Sequence, residues 1–561
     1  MKTKRDRVIC VTAGLCAFFG LPVSLLAQVP TFRAGTTLVE FTVVALDGKG
    51  NPVTDLTQAD LALTDRGERR EIAFFRFDGS GTPQDLAAPL PPLSPGFVTN
   101  RPEYQPEPQR NVTAIVMDLV NTAPPDQNRA REQLLRHLKA LPANTAVGLF
   151  QFNETRRVTV LAPFTHKADL LRSQMAALKA SPRRELVRDG YQGHPIVGGE
   201  CGAADGGGPV AGANAPGSGG GRGSSTMAEG MAALADSNSR GISSVNQSIR
   251  RSRLDTTLAN LEALGNHLAA IPGRKSVVWV SSGIPIQLKN FSMNYEPPIR
   301  LASQRMANQG IAIYPVDAKG NCRSLDTSST EGPFGLNDAT QDVFSTLNVF
   351  ADVTGGRVTK YDDNLSKGVM LAANDLRGSY TVGFYIPDEP DDSWHPIQVA
   401  SRRRDVILRH RQGYLSAARV QPQSLSAESW TQLAQNPLGS SAIRLNGRPT
   451  IASQQVTMLL QIAAGDLYFQ TKDGIASADL EIGVVEKDAD GTTHVRQQQL
   501  EVTLNDPSKD QRAALITSAT NWPVNAGTTA VRVIVRDRLT GRYGTLEVPI
   551  SNRSIPGFPQ P

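Results

Sequence analysis

Asn111 to Thr122 read NVTAIVMDLVNT, and the fold is decided by how this stretch is taken. Val112 to Met117 is a short apolar run that ends abruptly in an acid, Asp118, with Asn121 and Thr122 just beyond. An unbroken apolar run of this length fits a strand buried on both faces, as in a parallel sheet. Open α/β sheets bind ligands just past the carboxyl ends of such strands, which is where Asp118 sits.

Outward from this strand, the chain from Arg110 to Tyr414 alternates between strand and helix patterns. Gln127 to Leu141 carries Leu134, Leu135, Leu138 and Leu141 at helical spacing. Thr145 to Phe152 and Arg156 to Leu161 read as strands, and His166 to Leu178 as a helix. Thr257 to Ile271 is an amphipathic helix (Leu258, Leu261, Leu264, Leu268) stopped by Pro272-Gly273. Ser276 to Ser281 is another buried strand. Ile299 to Asn308 is a helix, and Gly310 to Asp317 is a strand that again ends in an acid. Asp342 to Thr354 and Leu365 to Arg377 read as helices, and Tyr380 to Ile386 as a late strand. This grammar predicts an α/β fold with a doubly wound, mostly parallel sheet.

β-type modules are expected on both sides. Residues 28–80 form an N-terminal β module: TLVEFTVVAL alternates, placing Val39, Phe41 and Val43 on one face. Residues 81–109 are a Pro-rich linker. Residues 110–416 form the α/β block, with an insertion over 182–252 that is Gly-rich from Gly198 to Gly223. Gly206, Gly208 and Ala211 do not make a dinucleotide fingerprint there, because Pro209 interrupts them and no strand precedes them. Residues 417–450 are a connector with a short helix around Trp430 to Leu433. Residues 451–552 read as an immunoglobulin-like β-sandwich, with Asp490-Gly491 and Thr540-Gly541 as hairpin turns. Residues 553–561 are a tail.

The chain has 561 residues, enough for about three or four domains. Hydrophobic residues make up 40 % and charged residues 20 %, which is ordinary for globular protein. Most of the formal charge of +5 comes from Lys2, Lys4, Arg5 and Arg7 in the leader, so the rest gives no nucleic-acid footprint. Met1 to Ala27 has the basic start, apolar centre and small terminal residue of a secretory signal; an N-terminal membrane anchor is the alternative. No later stretch is long and apolar enough to span a membrane. Export implies the periplasm, the outer membrane surface or the extracellular space. Past the leader only Cys201 and Cys322 remain, either as a disulfide or as two unpaired thiols.

FTVVALDGKGNPVTDLTQADLALTDRG, AIVMDLVNT, IPGRKSVVWVSSGIP, GIAIYPVDAKG, ADVTGGRV, LRGSYTVGFY and RQGYLS follow one another in this order. Residues 36 to 416 thereby resemble the exported bacterial von Willebrand factor type A (VWFA)-related domain proteins, and the middle block resembles the type A domain itself. That resemblance implies a type A-like sheet and, often, a metal-ion-dependent adhesion site. Such a site combines Asp-x-Ser-x-Ser, a Thr from a second loop and an Asp after the fourth strand around Mg²⁺, with one position open to a partner's acid. By position, Asp118 matches the first Asp, Thr122 replaces the second Ser, and Thr257 or Thr256 supplies the second-loop Thr. Val120 stands at the first Ser and Ser282 at the Asp, so a carboxylate and a hydroxyl are missing. Asn121 and Asp317 are the residues available to compensate. The implied site is degenerate: a weak Mg²⁺ site completed by a ligand, or no metal, with Asp118 and Thr122 hydrogen-bonded locally.

Other chemistry fails sooner. Glu486, Asp488, Asp490 and Gly491 imitate a calcium loop, but Gln497 stands at its twelfth position. No two histidines have zinc spacing, and Ser281 and Ser282 lack the Gly-x-Ser-x-Gly elbow. The expectation is an exported, non-catalytic protein that binds a protein or cell-surface ligand, not nucleic acid. Its contact face is the strand-end rim of Asp118, Asn121, Thr122, Thr256, Thr257, Ser282 and Asp317. The alternatives are a metal-dependent or serine hydrolase and a purely structural envelope scaffold.

Overall fold

The computed structural model describes residues 36–79, 92–105, 109–138, 145–179, 248–249, 251–284, 295–319, 337–360, 362, 364–387, 393–416, 424–452, 455–472, 475–488, 493–504, 514–525 and 528–549. The leader, the Gly-rich run, Cys201, Cys322, Asp490-Gly491 and the tail lie outside them.

The apolar run forms the middle of a five-stranded sheet. The strand order is Ile311–Asp317, Lys275–Ser281, Val112–Asp118, Ala146–Phe152, Val158–Thr165. The first four are parallel, and the edge strand Val158–Thr165 is antiparallel to its neighbour. Every residue of Val112–Asp118, Lys275–Ser281 and Ile311–Asp317 is buried, which explains why their sequences run apolar without alternating. Helices cover both faces. Val112, Ala114 and Val116 face Leu254, Leu261, Leu264 and Leu268 of a helix over 251–268, with Glu296–Asn308 and Asn337–Thr354 beside it. Ile115 and Met117 face Pro124–His137, Ala168–Ala177 and Ser366–Arg377.

Two expected boundaries move. Thr36–Asp47 does not close a module of its own: it pairs antiparallel with Ser379–Pro387, matching Val39 to Phe384, Phe41 to Val382 and Val43 to Tyr380. Leu61–Asp65 likewise pairs with Trp394–Ser401. The late strand at Tyr380 to Ile386 therefore leaves the α/β block and joins the N-terminal strands in one unit of two four-stranded sheets with a shared core. The physical reason is that this register puts Val39, Phe41 and Val43 beside Phe384, Val382 and Tyr380, with all their apolar side chains in one core. The second shift is in the linker: Val98–Thr99 adds to Leu445–Ala452, a strand that starts before the expected connector ends.

The C-terminal unit packs Leu515–Pro523, Gln455–Ala463 and Leu445–Ala452 against a sheet built on Ile475–Asp488, Thr528–Asp537 and Tyr543–Pro549, around one apolar core. Trp430, on the helix Ala427–Gln435, is fully buried and fills the space over Gly483, where a Cβ would come within 2.2 Å of its ring. No helix among the described residues is long and apolar enough to cross a membrane.

Candidate functional site

The strand-end cluster is built by parallel register. Met117 lies beside Val280, so Asp118 ends its strand next to Ser281. The chain then turns, and Pro124 and Pro125 open the following helix, where their missing N–H groups cost nothing. Asp118 controls the turn: one carboxylate oxygen, Oδ1, accepts from the backbone N–H of Val120 (3.0 Å) and of Asn121 (3.1 Å). The other, Oδ2, accepts from Ser281 Oγ (2.7 Å), Asn121 Nδ2 (2.8 Å) and Trp279 Nε1 (3.1 Å).

Asn121 carries the network onward. Its Nδ2 also donates to Thr257 Oγ1 at 2.8 Å, and Thr257 in turn donates to the carbonyl of Arg253 at 2.8 Å. Thr257 thus lies inside the helix over 251–268, bonded back one turn, and not on a loop as the type A pattern has it. The helix begins early because Leu254 extends the apolar spacing of Leu258 and Leu261. Thr122 Oγ1 accepts from the backbone N–H of Ser282 (3.2 Å), and Ser282 Oγ donates to Asp126 (3.3 Å). Asp317 stands beside the cluster, where its Oδ1 accepts from the N–H of Lys319 (3.0 Å).

The structure therefore links Asp118, Asn121 and Thr257 in one set of hydrogen bonds and Thr122, Ser282 and Asp126 in another, but it does not present them. Asp118 is 1 % exposed, Thr257 0 %, Thr122 2 %, Asn121 and Thr256 4 %, Asp317 5 % and Ser282 6 %. The expectation that these side chains form a contact face is corrected on that ground. Burial pushes the Asp118 carboxyl above its ordinary value, against the hydrogen bonds from Asn121, Ser281 and Trp279 that pull it down. Burial also raises Asp317, and the Asp126 charge adds to that.

The arrangement does not fit Mg²⁺ coordination. A carboxylate offers about four lone-pair directions, and five donors already occupy those of Asp118. The indole N–H of Trp279 can only donate, and Asn121 turns its N–H₂ side toward Asp118. The reading with Asp118, Thr122 and Thr257 as ligands would require displacing these donors. Among the described residues, no group of three or more His, Cys, Asp or Glu is placed to hold a metal. Glu486 is likewise consumed locally, accepting from Arg496, Thr528 Oγ1 and the N–H of Asn525.

The sequence reading did not place Trp279 in the cluster, and it weighed Ser281 only as a nucleophile. Their signal was parity: two residues apart on a buried strand, they share the face that meets the end of the neighbouring strand.

No protein-family model and no curated protein sequence matches the chain. Among solved structures, it is similar to an aerotolerance-related membrane protein from Bacteroides fragilis (12 % identity, TM-score 0.24, 47 % of this chain and 97 % of that one). It is similar to the conserved hypothetical protein BatB from Bacteroides thetaiotaomicron (10 %, 0.23, 47 % and 96 %). A third is proximal thread matrix protein 1 from the mussel byssus (9 %, 0.23, 48 % of each chain). Likeness at this level carries no argument about function.

Proposed function

We propose that the chain is an exported, non-catalytic binding protein built on a von Willebrand factor type A-like doubly wound sheet. In this reading a buried hydrogen-bond cluster around Asp118, with no resident metal, holds its strand-end rim in shape. The observation that carries the proposal is the saturation of Asp118: five donors converge on the one carboxylate at the end of the central strand. A buried, fully satisfied group is poor at bond-breaking and good at fixing a loop. The strand order, with the acid-ended strand central and the antiparallel strand at the edge, supports the type A-like reading. Partner contact then falls to exposed groups around the cluster, such as Pro125 and Asn128 at the start of the next helix.

The test places a photo-crosslinking residue at Asn128, with exposed Val160 on the edge strand as control. One discrete envelope or surface protein crosslinked from Asn128 and not from Val160 supports the reading. Equal or absent crosslinking overturns it. So does turnover of generic ester, peptide or phosphate substrates that disappears in Asp118→Ala.

A further inference from the structure

A second feature lies where the α/β block meets the C-terminal unit. A cleft of about 340 Å³ opens between the turn after Phe152, the helices over 251–268 and Glu296–Asn308, the helix Ala427–Gln435 and the turn at Thr540-Gly541. Among the described residues, Arg156, Arg157, Arg305 and Arg536 line it, against the one acid Glu262. Two of these cations are matched: Arg536 donates to Glu481 at 3.0 Å, and Arg305 lies 3.5 Å from Glu262. Among the described residues, the Arg157 guanidinium reaches only the uncharged amide oxygen of Gln435, at 2.6 Å. Among the described residues, no carboxylate lies within ion-pair distance of Arg156 or Arg157.

The turn that carries these two arginines is fixed in advance. Asn153 Oδ1 accepts from the N–H of Thr155 (3.1 Å), from Thr155 Oγ1 (2.6 Å) and from the N–H of Arg157 (3.3 Å). Asn260, on the helix over 251–268, donates to the Asn153 carbonyl at 3.2 Å and ties the turn down. Arg156 sits at φ 54°, a left-handed conformation that a side chain takes at a cost. A turn fixed in advance lowers the cost of bringing two cations with spare charge to an anion, because only the side chains are left to order. Leu425, Leu433 and Ala259 give the same cleft an apolar wall.

We propose that this cleft binds a small organic anion carrying two or more carboxylate or phosphate groups. Arg156 and Arg157 grip the acid groups through their planar donor forks, and the carbon skeleton lies on the apolar wall. The volume suits a ligand at the small end of ordinary pockets. Since the walls come from both units, an occupied cleft also braces one against the other.

The test is calorimetry of the full mature chain with citrate, with inorganic phosphate and with uncharged triethyl citrate, at about 0.15 M salt. Arg156→Gln and Arg157→Gln change an exposed and a half-buried side chain, so both variants should fold. Arg172→Gln, on a helix outside the cleft, is the control. Expected are binding of citrate or phosphate, silence from the triester, and at least about tenfold weaker binding in each cleft variant with none in the control. Tighter phosphate than citrate assigns the cleft to phosphate esters, and the reverse assigns it to polycarboxylates. No heat with either anion, full affinity in the Arg156→Gln/Arg157→Gln double variant, or equal loss in Arg172→Gln would overturn the proposal.

Discussion

Asp118→Ala is the sharpest probe of the strand-end cluster. The substitution removes the acceptor for Ser281 Oγ, Asn121 Nδ2, Trp279 Nε1 and the N–H groups of Val120 and Asn121, at a position 1 % exposed. Each buried donor left without a partner costs about 1–3 kcal/mol. Relief of the burial that pushes the carboxyl's pKa up offsets part of that sum. A net loss of about 4 kcal/mol follows, the size seen when one member of a buried charged network is removed. Asp118→Asn keeps one acceptor oxygen for the turn but aims N–H₂ at donors, and should lose about half as much. Urea unfolding followed by far-ultraviolet circular dichroism and tryptophan emission reads both, since Trp279 itself donates to Asp118. Repeating the titrations with about 10 mM MgCl₂ separates the closed cluster from a metal site, because an ion bound only by the native state raises stability with its concentration. A loss below about 0.5 kcal/mol in Asp118→Ala, or Mg²⁺ stabilising the wild type and not the variant, would refute the reasoning.

Lys275, buried at the start of its strand, donates to the carbonyl of Ile271 at 2.9 Å, and burial lowers its pKa to about 8. Between that value and the ordinary 10.5 the unfolded chain binds the extra proton. Stability from this group therefore rises with pH, by up to about 3 kcal/mol, and the rise should vanish in Lys275→Met when unfolding is compared across the window. Asp375, fully buried, accepts from Tyr314 Oη (2.6 Å) and pairs with Arg357 (3.2 Å) and Arg409, the last on a strand of the N-terminal β unit. Asp375→Asn should cost about 3–5 kcal/mol in chemical denaturation and loosen hydrogen exchange where the β unit meets the α/β block. Gly356→Ala would put a Cβ 1.8 Å from the carbonyl oxygen of Ile313, backbone against backbone, and should lower the melting temperature sharply, whereas Gly439→Ala, whose nearest neighbour is a hydroxyl at 3.3 Å, should not.

Elements whose own sequence decides them were legible. Val112–Asp118 and Lys275–Ser281 are built on the consecutive apolar residues Ala114 to Met117 and Val277 to Val280, and their burial on both faces fits that lack of alternation. Pairing over long separation was not. Thr36–Asp47 and Ser379–Pro387 each alternate, and alternation says that one face is buried without saying against what. The block between them could close its sheet without either. Nothing local distinguishes a sixth strand of that sheet from a strand that leaves it to complete a neighbouring unit. Val98–Thr99 was hidden for a related reason: a segment this short borrows its strand character from Leu445–Ala452.

The cluster shows a different limit. Position along the chain was enough to bring Asp118, Thr122 and Ser282 to one place, because strand ends in a parallel sheet share one edge, whereas Thr257 reaches it from a helix. Exposure depended on counting donors against acceptors. A divalent ion is held where several carboxylates share an edge and repel one another until a cation settles them. Here the Asp118 carboxylate faces one serine, an amide, an indole and two backbone N–H groups, and Ser282 stands where the resembled pattern has its second acid. In a low-dielectric interior a lone carboxylate with that many donors in reach draws them in, and the turn closes over it. Ser282, read in the sequence as a weakened metal position, instead donates to Asp126 and gives its backbone N–H to Thr122 Oγ1. Placing an acid there tests whether the rim can reopen. Ser282→Asp would place a second charge next to Asp126, which Ser282 Oγ now contacts at 3.3 Å. It should destabilise the protein without Mg²⁺ and regain part of the loss with it, while destabilisation that Mg²⁺ leaves unchanged would mean that the cluster cannot reopen.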